Sequence, residues 1–417
     1  MKSVMVLTSG TVIAQIASYA VTPIITRLFT TEDFGEFGVF MRVVAFLTAI
    51  GTARYELTIP LPKLHQHAFL LFRLSLKIAL ITTGVSLLAG LAVWSFYSSS
   101  VEMLAIVLLL SATTFFMIFK NIGTNWAIRN KVFRRISAVN ITTSAATNTF
   151  KLAAGFWGWG AFGLICATFV GTTIGVFWFV KDFFSSKRNF KVLQSPRKMR
   201  WLSHHYREFP RVNLPHTLID TTRELGIAFF LTYYLSTATF GAYDLSFKML
   251  KIPLLLIGTS ISQVLFQKAS EKFADRSALY PLLRRVVIIL LALSIVPFGV
   301  VFFSGTPLFA FVFGSEWEFS GTIAEALAPW LMMNFVASTI SLIPSVIQEL
   351  KWFFWVGVAT SIIQLSLFGF FDVIAQMFDY SAIELFERIS WIMTVFFIIV
   401  IIWELRLIKR SDEKRAL

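Results

Sequence analysis

The stretches Ile78–Val101, IALITTGVSLLAGLAVWSFYSSSV, and Leu152–Val180, LAAGFWGWGAFGLICATFVGTTIGVFWFV, carry no charged side chain. About 20 apolar residues in a helix cross a ~30 Å hydrocarbon core, and both runs are long enough. Open strands are excluded, because their edge amides and carbonyls have no partner in lipid. Outward from these runs the same reading gives about twelve spans. They lie near 5–26, 37–60, 68–96, 102–120, 136–156, 160–181, 212–235, 238–262, 286–304, 322–344, 352–371 and 386–408. The charge-free start, Val4–Thr26, is too long for a signal-peptide core and is kept as the first span. The expected fold class is an all-α integral membrane protein.

Composition agrees with a membrane solvent. The chain is 56% hydrophobic and only 14% charged, and its 45 Phe and 12 Trp suit lipid-facing and interfacial surfaces. Lys and Arg crowd alternate connections, as in Lys120–Arg135, Lys181–Arg211, Lys268–Arg285 and Arg406–Arg415. The intervening loops at Ser98–Ser100, Trp157–Gly160, Ser236–Gly241, Gly305–Gly321 and Phe371–Glu384 are nearly bare of them. The positive-inside rule reads this as both termini in the cytoplasm and an even number of crossings. The net charge of +14 therefore reports orientation, and nucleic acid is not an expected partner. The one cysteine, Cys166, excludes a disulfide framework.

The longest break is a basic stretch in which Met199, Leu202, Tyr206 and Phe209 recur at helical spacing among Arg, Lys and His. It is read as an amphipathic linker on the inner membrane surface, or a plain hinge. It divides the chain into an N-terminal six-helix bundle (1–185), the linker (186–211) and a C-terminal six-helix bundle (212–417). The halves look related. Phe34-Gly35-Glu36-Phe37 is matched by Phe240-Gly241-Ala242-Tyr243, and Ile50-Gly51-Thr52 by Ile257-Gly258-Thr259, at a nearly constant offset. Six spans per half restore the starting side, so the bundles are expected to be related by a pseudo-two-fold axis along the membrane normal. That is a plan of alternating-access transporters.

Ionisable residues at bilayer depth are functional candidates. Span eight carries Asp244, Lys248 and Lys251 on one face, and Lys248 lies ~15 Å down its helix at 1.5 Å per residue. Asp244 can neutralise Lys248, or the lysines can line a cationic cavity. Pro253 cannot donate to the Met249 carbonyl, which predicts a bend. Span seven carries Asp220, Arg223 and Glu224. The two acids can bind a coupling H⁺ or Na⁺, or pair with Lys248 or Lys251. In the first half, Arg42 and Arg54 sit in span two, with Glu56 as a partner for Arg54, and Arg27 closes span one at an interface. Lys151 stands in span five among Asn140, Thr142, Thr143, Ser144, Thr147 and Asn148, a stripe suited to sugar hydroxyls or to helix packing.

Enzyme signatures are missing. His65, His67, His204, His205 and His216 lie at the cytoplasmic edge, and no further ligand supports a metal site. There is no phosphate-cradling Gly-Lys-Ser/Thr loop, so no cofactor is expected and direction must come from an ion or substrate gradient.

Thr11-Val12-Ile13-Ala14-Gln15, Pro23–Phe29, Glu32-Asp33-Phe34-Gly35, Arg54-Tyr55-Glu56 and Leu61-Pro62-Lys63 resemble the opening of the polysaccharide transporter, or O-antigen flippase, family. The resemblance continues through Phe209-Pro210, Gly241-Ala242-Tyr243, Ile257–Val264, Phe313–Trp317 and Pro329-Trp330. Span seven departs from the family pattern at Asp220-Thr221-Thr222-Arg223-Glu224. The family lies in the multidrug/oligosaccharidyl-lipid/polysaccharide exporter superfamily. The resemblance implies flipping of undecaprenyl-pyrophosphate-linked oligosaccharide across a bacterial inner membrane through a central cationic cavity. Membrane lipids and other polysaccharide assembly proteins are implied as partners. A pyrophosphate needs cations in place of its hydration, which Arg54, Lys151, Lys248 and Lys251 can supply. Arg27, Arg42, Arg223 and Asp244 are support residues. A drug/cation antiporter of the same superfamily is the alternative and would use Asp220 and Glu224. A membrane-embedded glycan polymerase or ligase is a third reading, which would need a large outward loop.

Overall fold

A computed structural model of the chain describes residues 2–97, 100–189 and 195–416. Ser98 and Ser99 of one predicted outward loop, and 190–194 of the predicted linker, lie outside the described residues. Among the described residues the chain is helical and contains no strand. It forms two compact units, Met1–Ala228 and Phe229–Leu417, and the division falls inside a helix.

The N-terminal unit contains α1 (Lys2–Ile25), α2 (Thr31–Ile50), α3 (His65–Tyr97), α4 (Val101–Arg129), α5 (Phe133–Phe156), α6 (Gly160–Asn189), α7 (Pro196–His205) and most of α8 (Glu208–Tyr234). The C-terminal unit contains α9 (Thr237–Leu250), α10 (Thr259–Ala274), α11 (Tyr280–Phe313), α12 (Glu318–Ile340), α13 (Ile343–Val346), α14 (Leu350–Gly369), α15 (Phe371–Phe378) and α16 (Ala382–Ala416). Each of the twelve predicted spans falls on a helix or a broken pair. By length and apolarity alone, six described helices qualify as membrane spans. A seventh arises if α14 and α15, bent by 54°, count as one. Helices α2, α5, α8 and α9 fall short of that test because they carry the breaks and polar side chains discussed below.

Two predicted spans are corrected in detail. Span two does not run to residue 60: α2 stops at Ile50, Ala53 and Arg54 adopt left-handed φ of 48° and 64°, and a 3-10 turn follows at Tyr55–Thr58. Span eight breaks after Leu250 and resumes through a π-helical turn at Leu254–Gly258. Pro253 has no N–H to return to the Met249 carbonyl, so an α-helical ladder cannot cross it. The sequence repeats sit at matching places within their own units. Phe34–Phe37 and Phe240–Tyr243 each begin four residues after an N-cap, Thr30 and Ser236, and Gly51 and Gly258 lie at the two breaks.

The linker helix also differs from expectation. Leu202 of α7 is buried with Phe72, Trp126 and Ile136 in a core cluster, and Tyr206 packs against it. The Tyr55 hydroxyl donates to the Ser203 carbonyl at 3.0 Å. Leu202 and Tyr206 of the apolar side expected on lipid are thus docked on protein, while Arg197, Lys198 and Arg200 stay exposed.

The polar stripe of α5 is used for packing. Ser144 bonds Ser18 at 2.7 Å and the Ala14 carbonyl at 3.0 Å, and Asn148 donates to Ser18 at 3.2 Å. On the other side, α6 comes so close that a Cβ added at Gly171 would lie 2.0 Å from Thr147 Oγ1, and one at Gly175 1.8 Å from Thr143 Oγ1. Lipid offers little hydrophobic drive between helices, so such close backbone approach supplies the cohesion.

Candidate functional site

Of the sequence-selected residues of the N-terminal unit, Arg42, Asp220, Arg223 and Glu224 gather in one place and Arg54 lies in a second. Glu224 of α8 accepts from Arg42 of α2 at 2.8 Å, and Arg223 lies 4.0 Å from its other oxygen. One turn back, Asp220 faces Arg223 at 3.4 Å and His216 at 3.7 Å. The spacing of α8 puts Asp220 and Glu224 on one face and lets Arg223 reach both. Sequence left open whether these acids hold an ion or a basic partner. Within the N-terminal unit, the basic groups facing them are Arg42, Arg223 and His216. Arg42 joins two helices far apart in the chain, so its pair with Glu224 ties α2 to α8.

The second place is the break after α2. Glu56 is 3% exposed, accepts from the Thr52 hydroxyl, and has Arg54 Nη1 3.4 Å away. Arg129 of α4 forks onto the carbonyls of Pro60 and Lys63 at 3.0 and 2.9 Å, closing the segment against the bundle. Arg54 is therefore held by local chemistry as its left-handed backbone turns the chain. Lys151 of α5 rests with its ammonium 4.4 Å from the centre of the Phe37 ring, a cation–π contact. Arg27 is exposed just beyond the end of α1.

In the C-terminal unit, Asp244, Lys248 and Lys251 occupy one face of α9 as their spacing requires. Lys248 donates to Asp244, whose side chain is 3% exposed, while the lysine side chain is 45% exposed. Lys251 caps the helix and holds its ammonium 4.2 Å over the Phe247 ring. Phe247 packs on Trp330, and Tyr243 sits among Phe368 and Phe386, so an aromatic wall backs the cations. A buried carboxylate that neutralises one lysine without covering it, beside a second lysine, leaves two cationic groups together at the end of α9.

Among the carboxylates that the sequence reading passed over, two stand inside the C-terminal helices. Glu325 of α12 accepts from the Thr306 N–H at 2.7 Å, at the kink where Ser304 leaves helical geometry (φ −145°, ψ 22°) ahead of Pro307. Glu404 of α16 is 2% exposed within the C-terminal unit. Its signal was legible: Phe397, Val400 and Ile408, all buried, stand seven and four residues before it and four after.

Residues 24–321 match the family of polysaccharide biosynthesis proteins, and the chain belongs to that family. No curated protein sequence matches it. Among solved structures it is similar to an inward-facing multidrug resistance MATE family transporter of the MOP superfamily, with a TM-score of 0.72 and 13% identity, over 95% of each chain. It is also similar to the lipid II flippase MurJ in an inward closed conformation, with a TM-score of 0.69 and 15% identity, over 97% of this chain and 89% of that one. A MOP superfamily transporter from Pyrococcus furiosus aligns with a TM-score of 0.60 at 13% identity, over 98% and 95%. At such identities the likeness carries the fold alone: an all-helical, multi-pass membrane architecture.

Proposed function

We propose that this member of the polysaccharide biosynthesis family is a flippase for an undecaprenyl-pyrophosphate-linked oligosaccharide. It would carry the repeat unit from the inner to the outer leaflet of a bacterial inner membrane by alternating access, with both termini in the cytoplasm. The family membership supports a glycan cargo, and the likeness to a lipid II flippase supports a lipid-linked one. The observation that carries the reading is the accessible Lys248 beside Lys251 at the broken end of α9, backed by aromatic rings. A pyrophosphate needs cations, and sugars stack on aromatic faces. Arg54 and Lys151 are assigned to the same anionic cargo from the N-terminal unit.

Asp220 and Glu224 are proposed to act in coupling through their ion pairs: a proton taken by Glu224 would release Arg42 and with it the tie between α2 and α8. The antiporter alternative needs acids open to a cationic drug, whereas these two face arginines.

The test is reconstitution. Proteoliposomes carrying a fluorescent undecaprenyl-pyrophosphate oligosaccharide should show protein-dependent exposure of the sugar to an external glycosidase, reduced at least tenfold in K248A/K251A. Equal rates in wild type, that variant and empty vesicles would overturn the assignment.

A further inference from the structure

Glu404 is 2% exposed, and its Oε1 has no hydrogen-bond partner. It lines a partly open cavity of about 80 Å³ inside the C-terminal unit, between α12, α14 and α16. Most of the wall is apolar: Trp352, Val356, Phe397 and Val400, with the Trp352 ring tilted by 36° against that of Trp403 at 4.8 Å. The polar lining besides Glu404 is Ser338 and Ser341. Both hydroxyls spend their protons on backbone, Ser338 on the Asn334 carbonyl and Ser341 on that of Ser338. Their oxygens keep lone pairs and can only accept further bonds.

The charged groups on the surrounding helices do not answer this carboxyl. Lys351 at the start of α14, Arg406 of α16 and Arg284 and Arg285 of α11 are all exposed, as are Lys268, Glu271 and Lys272 of α10. Asp244 of α9 is bound to Lys248, and Glu325 of α12 to the Thr306 amide. An ionised carboxylate in so apolar a pocket would cost several kcal/mol without a counter-charge, and such groups neutralise instead. Intramembrane acids that persist under that cost are functional candidates.

The geometry points to a proton-exchange site at Glu404, with Ser338 and Ser341 as the acceptors of a water held beside its carboxyl. A proton satisfies the arrangement with one oxygen. A metal ion would need several more oxygen ligands, and no group of three His, Cys, Asp or Glu among the described residues could hold one. The cavity has room for water, through which the proton can arrive and leave. The step is a simple transfer: the carboxylate gains H⁺ from water on one side and returns it to water later, with no other bond changed. The inference does not depend on the identity of the cargo proposed above.

Infrared difference spectroscopy of the purified full chain tests it directly. At neutral pH wild type should show a protonated-carboxyl C=O band that shifts in D₂O and is lost in E404Q. E404D, which keeps a carboxyl, should show the band displaced. Absence of that band in wild type, or its persistence in E404Q, would overturn the proposal without any transport measurement. A thermal-shift titration with NaCl against N-methylglucamine chloride forms the second arm. No Glu404-dependent rise is expected, and a Na⁺-specific rise in Tm lost in E404Q would assign the pocket to a metal cation instead.

Discussion

Removing Lys248 perturbs two things at once, and the structure allows them to be separated. In K248M the aliphatic stem is kept, but Asp244, with its side chain 3% exposed, loses the ammonium that faces it. Breaking a fully buried pair costs about 3–5 kcal/mol and an exposed one about 0.2–1. Because the lysine itself is 45% exposed, water compensates part of the loss, and the cost falls near 2 kcal/mol. For a unit of this size, spanning Phe229–Leu417, that corresponds to a fall in Tm of roughly 4–8 °C. D244A/K248M removes both charges and should recover most of that loss, since no buried carboxylate is left behind. Transport should not recover, because the anion-facing ammonium is still missing. The measurement pairs thermal unfolding in detergent with the glycosidase-accessibility assay on the same preparations. An unchanged Tm in K248M would refute the burial argument. Wild-type flipping by the stable double variant would show the cluster to be a structural ion pair and nothing more.

The Arg42–Glu224 tie should behave reciprocally: R42E and E224R singly should each slow transport severalfold, and R42E/E224R should restore it, unless one side chain also touches the cargo. Loss in the exchanged pair equal to that in the singles would remove the tie from the cycle. Packing gives a sharper contrast: the Cβ of G171A would meet the Thr147 backbone nitrogen at 2.6 Å, so α5 and α6 must separate at a cost of about 1–3 kcal/mol. G84A, where nothing lies within 4 Å, should leave Tm unchanged or raise it, and equal Tm values for the two variants would contradict the close approach of α5 and α6. For topology, single cysteines at Trp159 and Ser315 in a C166S background should label from outside intact cells. Cysteines at Lys131, Ser195 and Ser277 should label only after permeabilisation, and outside labelling at Ser195 would reverse the proposed orientation.

Hydropathy and charge spacing are local properties of the chain, and they determined what depends on local properties. Runs such as Ile78–Tyr97 can only be helices in lipid, and the Pro253 break and the shared faces of Asp244 with Lys248 and of Asp220 with Glu224 follow from backbone geometry alone. Partner choice is different, because it depends on which helices pack. Periodicity could not say that Glu224 meets Arg42, that Ser144 and Asn148 are consumed by Ser18, or that Leu202 docks into a core instead of lipid. Glu404 shows the limit most clearly. In sequence Phe397, Val400 and Ile408 place it on an apolar helical face, but that spacing does not say whether lipid, water or protein covers the face. Only the closure of α12 and α14 over α16 removes it from water, and an acid's chemistry is set by the water it has lost.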